Sequence, residues 1–299
     1  MRPTGRRADP RSLANHHLLS RVRSRMSLCV IIPAAGASAR YIAAAAQAGN
    51  PGARSKLDEE LGGRPILQRT VELFANHPRV TTIIVAGPHD PEAFIEFKDR
   101  YADKLGLLGV RLTRGGKSHR YETVAAALAL VPAGTTTIVV HDAARPCTPV
   151  ELIDRLLDAG EKHPAVIPAL PVSDTIKQVS AEEVIDTTPD PLAAILGDPQ
   201  AITTSGGGMK RVEKTIPRER LVSVQTPQVF DAALLRRAYQ QTDLSSTDDA
   251  QLIERLGEPV VVIEGDARNI KVTRPADLVL ARAILGIKEA TARSNVMRF

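Results

Sequence analysis

From Leu28 onward short apolar runs alternate with amphipathic segments, the rhythm of a mostly parallel sheet covered by helices. The runs predict strands over Leu28–Pro33, Thr81–Ala86, Val110–Thr113, Thr136–His141, Ala165–Ala169, Ser223–Gln225 and Pro259–Ile263. Between them, Ile66 to Phe74 sets Leu67, Val71 and Phe74 on one helical face, and Glu151 to Leu157 does the same with Ile153 and Leu157. Two stretches break the rhythm. Ile42 to Ser55 begins with helix-forming alanines and ends in Gly-Asn-Pro-Gly, which predicts a flexible excursion suited to a lid. Glu182 to Lys210 is rich in Pro, Asp, Thr and Gly, a composition of exposed loop.

Composition narrows the picture. Of 299 residues 43% are apolar, enough for a full core, yet only 3% are aromatic and none is Trp, so aliphatic side chains and Ala must fill it. No run approaches the ~18 apolar residues of a membrane span. Cys29 and Cys147 are too few for a disulfide framework or a zinc site and read as reduced thiols of a cytoplasmic protein. The seven His lack the i, i+4 spacing of a helical metal site. The formal charge of +5 is concentrated at one end, because residues 1–26 hold seven arginines against the single acid Asp9. The body is thus near neutral, which argues against a nucleic-acid-coating protein. The leader has no apolar core for export; an organelle transit peptide, an upstream start and a disordered arm remain open for it.

The candidate chemistry opens at Val30–Arg40, VIIPAAGASAR, where a strand-length run breaks into small residues. Ala34, Ala35, Gly36 and Ala37 leave backbone amides open to a phosphate, and the same residues also suit tight strand-to-helix packing. Neither a Walker loop nor a dinucleotide fingerprint is present. Further polar segments follow apolar runs: His141-Asp142-Ala143-Ala144-Arg145-Pro146, Ser173-Asp174-Thr175-Ile176-Lys177, Gln225-Thr226-Pro227-Gln228 and Asn269-Ile270-Lys271-Val272-Thr273. Ligands of open parallel sheets sit outside the carboxyl ends of strands, so these segments are expected to converge near Gly36 and Arg40. Singly, each has a plainer reading: Asp142 as a helix cap, Thr226 as the residue before a proline, Lys271 as a solvated charge.

Together, PAAGASAR, Lys56 with GGRPIL, GG…R…TV at Gly115–Val124, VHDAARP, PVSDTIK, VQTPQVF, STDDA and GDARNIKVTRPADL resemble the 2-C-methyl-D-erythritol 4-phosphate cytidylyltransferases of the non-mevalonate isoprenoid pathway. The resemblance spans residues 28 to 286. It implies an α/β, nucleotide-diphosphosugar-transferase-like (Rossmann-like) fold, with a mostly parallel sheet, flanking helices and a protruding dimerisation arm at about 172–222. On this reading residues 1–26 are a leader, 27–286 the catalytic domain and 287–299 a tail too short for a fused cyclase.

The resemblance also assigns roles. Arg40, Lys56 and Lys271 match phosphate-binding cations, and Ala34, Ala35, Gly36, Gly116 and Thr123 match CTP-binding segments. Asp142, Arg145, Thr226 and Thr247 match positions around the methylerythritol phosphate, while Thr175 and Arg218 match an arm that reaches across a homodimer. CTP, Mg²⁺ or another divalent cation and pyrophosphate release are implied, with no metal ligand singled out. Three departures are evident: an extra residue in Gly115–Val124, a long insertion before Lys56, and the Glu182–Lys210 stretch in the arm. The chemistry is self-consistent, because a phosphomonoester is already an anionic nucleophile and needs cations and alignment more than a base. A ribitol 5-phosphate cytidylyltransferase and a non-catalytic nucleotide-binding module are the alternatives.

Overall fold

The computed structural model describes residues 27–50, 52, 55–184 and 209–288. The chain divides into two compact units, residues 1–168 with 224–299 and residues 169–223. In the first, β1 (Leu28–Pro33) leads to α1 (Ala39–Gln47), a 3-10 turn at Lys56–Asp58, the small ribbon β2 (Glu60–Leu61) and β3 (Arg64–Pro65), and α2 (Ile66–Ala75). Then come β4 (Thr82–Gly87), α3 (Pro91–Gly106), β5 (Val110–Arg114), α4 (Arg120–Leu128), β6 (Thr137–Val140), α5 (Val150–Gly160) and β7 (Ala165–Pro171). The second unit holds β8 (Ile176–Glu183) and β9 (Lys210–Ile216), with β10 (Val222–Val224) at its end. The first resumes with β11 (Gln228–Asp231), α6 (Ala232–Ala238), α7 (Ala250–Arg255), β12 (Val261–Glu264) and α8 (Ala276–Ile284).

The central sheet runs β7-β11-β6-β1-β4-β5, with β12 beside β7. β1 pairs in parallel with both β4 and β6, and β4 with β5. The chain therefore builds outward on one side of β1 through β4 and β5 and returns with β6 on the other. The carboxyl ends of β1 and β6 form the switch point where such sheets open a crevice.

Strand β1 shows why these residues form a buried strand. Leu28, Val30 and Ile32 enter one core, Cys29 and Ile31 the opposite one, and all five are wholly buried. Leu67, Val71 and Phe74 of α2, with Ile153 and Leu157 of α5, cover the first face, as their spacing predicts. Val124 and Ala127 of α4, Leu235 of α6 and Ile253 of α7 cover the second. Cys29 and Cys147 are free and buried.

Several expectations change. The strand expected at Ser223–Gln225 lies at Val222–Val224, and the one expected at Pro259–Ile263 at Val261–Glu264. β11 was not expected; it pairs antiparallel with both β6 and β7 in a single four-residue span after a cis Thr226–Pro227 bond. The Ile42–Ser55 excursion begins as regular helix already at Ala39. Residues 51, 53 and 54, most of the Glu182–Lys210 stretch, the leader and nearly all of the tail lie outside the described residues. β8 and β9 pair with each other, and their side chains are almost all exposed. With neither face packed inside its own unit, the hairpin carries no apolar alternation to read.

Candidate active site

After β1, the Ala34 amide closes onto the carbonyl of Ala86 (2.7 Å), but the amides of Ala35, Gly36 and Ala37 have no acceptor among the described residues. The turn ends at Ser38, whose φ of 55° is left-handed. That conformation costs a non-glycine residue about 1–2 kcal/mol, and two contacts hold it: Ser38 Oγ lies 3.2 Å from Ser55 Oγ and accepts the Lys56 amide at 3.3 Å. The strained corner thus places Lys56 against the loop.

A second turn faces it. Gly115 donates to the Gly87 carbonyl (2.8 Å), and Gly116 donates to Thr123 Oγ1 (3.1 Å) at the start of α4. A Cβ on Gly116 would stand 2.1 Å from the Glu122 Cβ and 2.8 Å from the Thr123 nitrogen. Gly116→Ala therefore cannot fit without moving the first turn of α4. We expect a loss of about 1–3 kcal/mol, or roughly 2–10 °C in Tm; an unchanged melting curve would contradict this packing.

The two turns, Arg40, Lys56, Asp142 and Lys271 enclose a cavity of about 450 Å³. Nine of the residues expected in the site meet here: Ala34, Ala35, Gly36, Arg40, Lys56, Gly116, Thr123, Asp142 and Lys271. A second cavity of about 420 Å³ brings Asp142, Arg145, Thr226, Thr247 and Lys271 together with Gln225, Gln228, Asp248, Gln251 and Glu254. Arg120, Asp142 and Lys271 line both. Three of the four polar segments expected to converge line these cavities, two of them with a change of register, whereas Ser173–Lys177 is not among them and belongs to the second unit. Gln225-Thr226 precedes an antiparallel strand, so the amino end of β11 lies at the sheet edge where the parallel strands end. Asn269–Thr273 does not adjoin a strand but is separated by four residues from the end of β12, as an irregular segment held by Val272 N to Ala144 O (2.8 Å) and by Arg145 Nη1 to Asn269 O (2.7 Å).

At the junction Asp142 meets three cations: Lys271 Nζ at 2.9 Å, Arg145 Nε at 3.3 Å and Arg120 Nε at 3.5 Å. Burial alone would raise the carboxyl pKa, but Lys271, then Arg120 and Arg145, override it and hold it well below the usual carboxylate range. Arg120 also pairs with Asp249 (2.7 Å), which the Tyr239 hydroxyl holds in turn. Its Nη2 is buried with no acceptor among the described residues, a donor left for an anion. Neither Arg120 nor Asp249 was singled out from sequence. Arg120 is the arginine of the GG…R…TV wording, but nothing local to it announces a partner as remote in the chain as Asp249.

Lys56 Nζ donates to the Val272 carbonyl (2.9 Å). Burial and the neighbouring Lys271 charge lower its pKa to about 8. Arg40 is exposed at the mouth of the first cavity and has no ion-pair partner among the described residues. The Thr123 hydroxyl accepts from Gly116 and lies 3.4 Å from the His119 carbonyl, so it shapes the turn. Thr247 is held by Gln251. Thr175 and Arg218 belong to the second unit, where both are exposed and Arg218 donates to the Ser173 carbonyl.

A resident metal site does not fit this donor set. Among the described residues no three His, Cys, Asp or Glu side chains gather to hold an ion, and the one carboxylate between the cavities is already engaged by three cations.

The family described as IspD, 2-C-methyl-D-erythritol 4-phosphate cytidylyltransferase, matches residues 28–206 and 194–287. The 2-C-methyl-D-erythritol 4-phosphate cytidylyltransferase of Frankia casuarinae is 39% identical over 259 residues, covering 86% of this chain and 81% of its own. That of Streptomyces avermitilis is 38% identical over 85% of this chain and 90% of its own. The crystal structure of the Thermus thermophilus enzyme superposes with a TM-score of 0.58 at 30% identity, over 87% of this chain and 98% of that one.

Proposed function

We infer the activity from the premise that the chain belongs to the 2-C-methyl-D-erythritol 4-phosphate cytidylyltransferase family. It transfers CMP from CTP to 2-C-methyl-D-erythritol 4-phosphate, releasing pyrophosphate. One observation carries our assignment of the site: two cavities meet at Arg120, Asp142 and Lys271. We place CTP in the first, against the amides of Ala35, Gly36 and Ala37, which have no acceptor among the described residues, and the polyol phosphate in the second. An oxygen of the substrate phosphate then attacks the α-phosphorus; the bond from that phosphorus to the bridging oxygen breaks, and pyrophosphate departs with the electron pair. No proton has to move. Lys271 stands at the junction where the reacting phosphates meet, and Lys56 and Arg40 face the triphosphate. Arg145 and Thr247 line the polyol side. A divalent cation enters, on this reading, with the nucleotide as MgCTP, since the described residues offer no resident site for it.

The Lys56 pKa of about 8 gives the site a pH signature. A triphosphate beside the amine favours its charged form, so CTP affinity is full below about pH 8 and falls as pH rises through that value. Calorimetry in buffers of different ionisation enthalpy is expected to show proton uptake on CTP binding near pH 8.5 to 9, roughly. No uptake there, or the same uptake in Lys56→Arg, contradicts the assignment.

The arm extends the proposal to a homodimer. Val179, Val212 and Met209 of the second unit are exposed, and by family resemblance Thr175 and Arg218 serve the polyol phosphate of the neighbouring subunit. Mixing Arg218→Ala with Lys271→Ala chains is expected to restore activity that neither parent shows, because one site per mixed dimer has both residues intact. Failure despite proven subunit exchange, or a monomer at assay concentration, overturns this part. Among the described residues no helix is long and apolar enough to cross a membrane; a cytoplasmic location is our proposal, resting on the two free thiols.

A further inference from the structure

His141, wholly buried at the end of β6, takes no part in the chemistry above, yet both its ring nitrogens are engaged. Nε2 lies 3.2 Å from the Arg145 carbonyl and 3.4 Å from Thr148 Oγ1, and Nδ1 lies 3.2 Å from Thr226 Oγ1. The hydrogens around it can be placed from backbone groups, whose roles are fixed. The Asn269 amide nitrogen donates to the Thr226 carbonyl (2.8 Å), which turns Asn269 Oδ1 toward Thr148. Thr148 has two acceptors besides the ring, Oδ1 at 2.8 Å and the Arg145 carbonyl at 3.2 Å, so its hydroxyl hydrogen goes to one of these and it shows Nε2 a lone pair. A carbonyl and a lone pair both face Nε2, so Nε2 carries the ring hydrogen and Nδ1 is bare. The ring packs edge-on against Phe74, centroids 5.0 Å apart, and burial drives its pKa down to about 3, so it stays neutral.

The consequence falls on Thr226. Its hydroxyl hydrogen must point to Nδ1, while one lone pair accepts the Asp142 amide at 3.0 Å. What remains for the second cavity is one lone pair. We propose that His141 is a positioning residue that makes Thr226 an acceptor only, so that Thr226 receives a hydroxyl of the polyol and turns away its phosphate. The phosphate is left to the cations Arg120, Arg145 and Lys271. This rests on the placement of the polyol phosphate in the second cavity; the tautomer itself does not.

Two readouts test it. In ¹⁵N spectra of labelled enzyme, His141 is expected to show a protonated Nε2 and a bare Nδ1 throughout about pH 5 to pH 8; a protonated Nδ1, or titration in that range, overturns the proposal whatever the enzyme does. In kinetics, Thr226→Val is expected to raise KM for methylerythritol phosphate by roughly three- to tenfold with KM for CTP unchanged. The increase should vanish for one deoxy analogue of the substrate that lacks the hydroxyl concerned. His141→Leu is expected to share that pattern, and His141→Asn, whose Oδ1 can accept from Thr226, to restore the wild-type KM. Equal losses on every deoxy analogue, or an unchanged KM in Thr226→Val, would overturn it. Absence of turnover in the wild type would instead sink the functional reading and leave the tautomer to the spectra.

Discussion

Replacing Lys271 by Ala is expected to lower kcat by about two to three orders of magnitude while leaving the fold intact. Its Nζ lies 2.9 Å from Asp142, and it lines both cavities, where negative charge accumulates as one phosphate attacks another. Removing a preorganised contact of this kind costs on the order of 3–4 kcal/mol of barrier, and each 1.4 kcal/mol is tenfold in rate. Stability should change little, since Asp142 keeps Arg120 and Arg145. Arg40→Ala and Lys56→Ala are expected to fall in the same range, because each removes a cation from the triphosphate side. Steady-state assay of pyrophosphate release, with melting curves of the same preparations, checks all three. A normal kcat in Lys271→Ala would place the phosphates elsewhere.

The Asp142→Asn variant is expected to fail in both stability and rate. The substitution leaves Arg120, Arg145 and Lys271 facing one another with only Asp249 to balance them. Breaking one partner out of a buried ionic cluster costs roughly 3–5 kcal/mol, about 6–20 °C in Tm. Since the folded carboxyl is held below its ordinary value, this contribution is present in full above about pH 4 and is lost only as pH falls further. The rate should fall at least about a hundredfold, because Lys271 loses the partner that holds it at the junction. A wild-type melting temperature would mean that the three cations are each solvated on their own.

Legibility in the sequence followed the physics of burial. A strand buried on both faces, such as β1, reads as an unbroken apolar run. The helical faces of α2 and α5 read from spacing because each packs on one core. The loop at Ala35–Ala37 was legible for the opposite reason, since small residues leave amides open, but the closure of the Ala34 amide onto the Ala86 carbonyl is a contact remote in sequence and was not. The β8–β9 hairpin has no buried face in its own unit and so leaves no pattern. Asp142 could be named from its motif, whereas its pairing with Arg120, and that of Arg120 with Asp249, depends on contacts remote in sequence. His141 shows the same limit: a histidine after a buried strand is read as core, and only its partners Thr226, Thr148 and Arg145 give its two nitrogens different roles.

The most direct test of the central claim is to incubate the purified chain with CTP, Mg²⁺ and 2-C-methyl-D-erythritol 4-phosphate, and to quantify pyrophosphate and the CDP-alcohol together. The account predicts the two products in equal amounts, dependent on both substrates, with ribitol 5-phosphate a poor replacement. No pyrophosphate from this pair, or faster turnover of ribitol 5-phosphate, would contradict it.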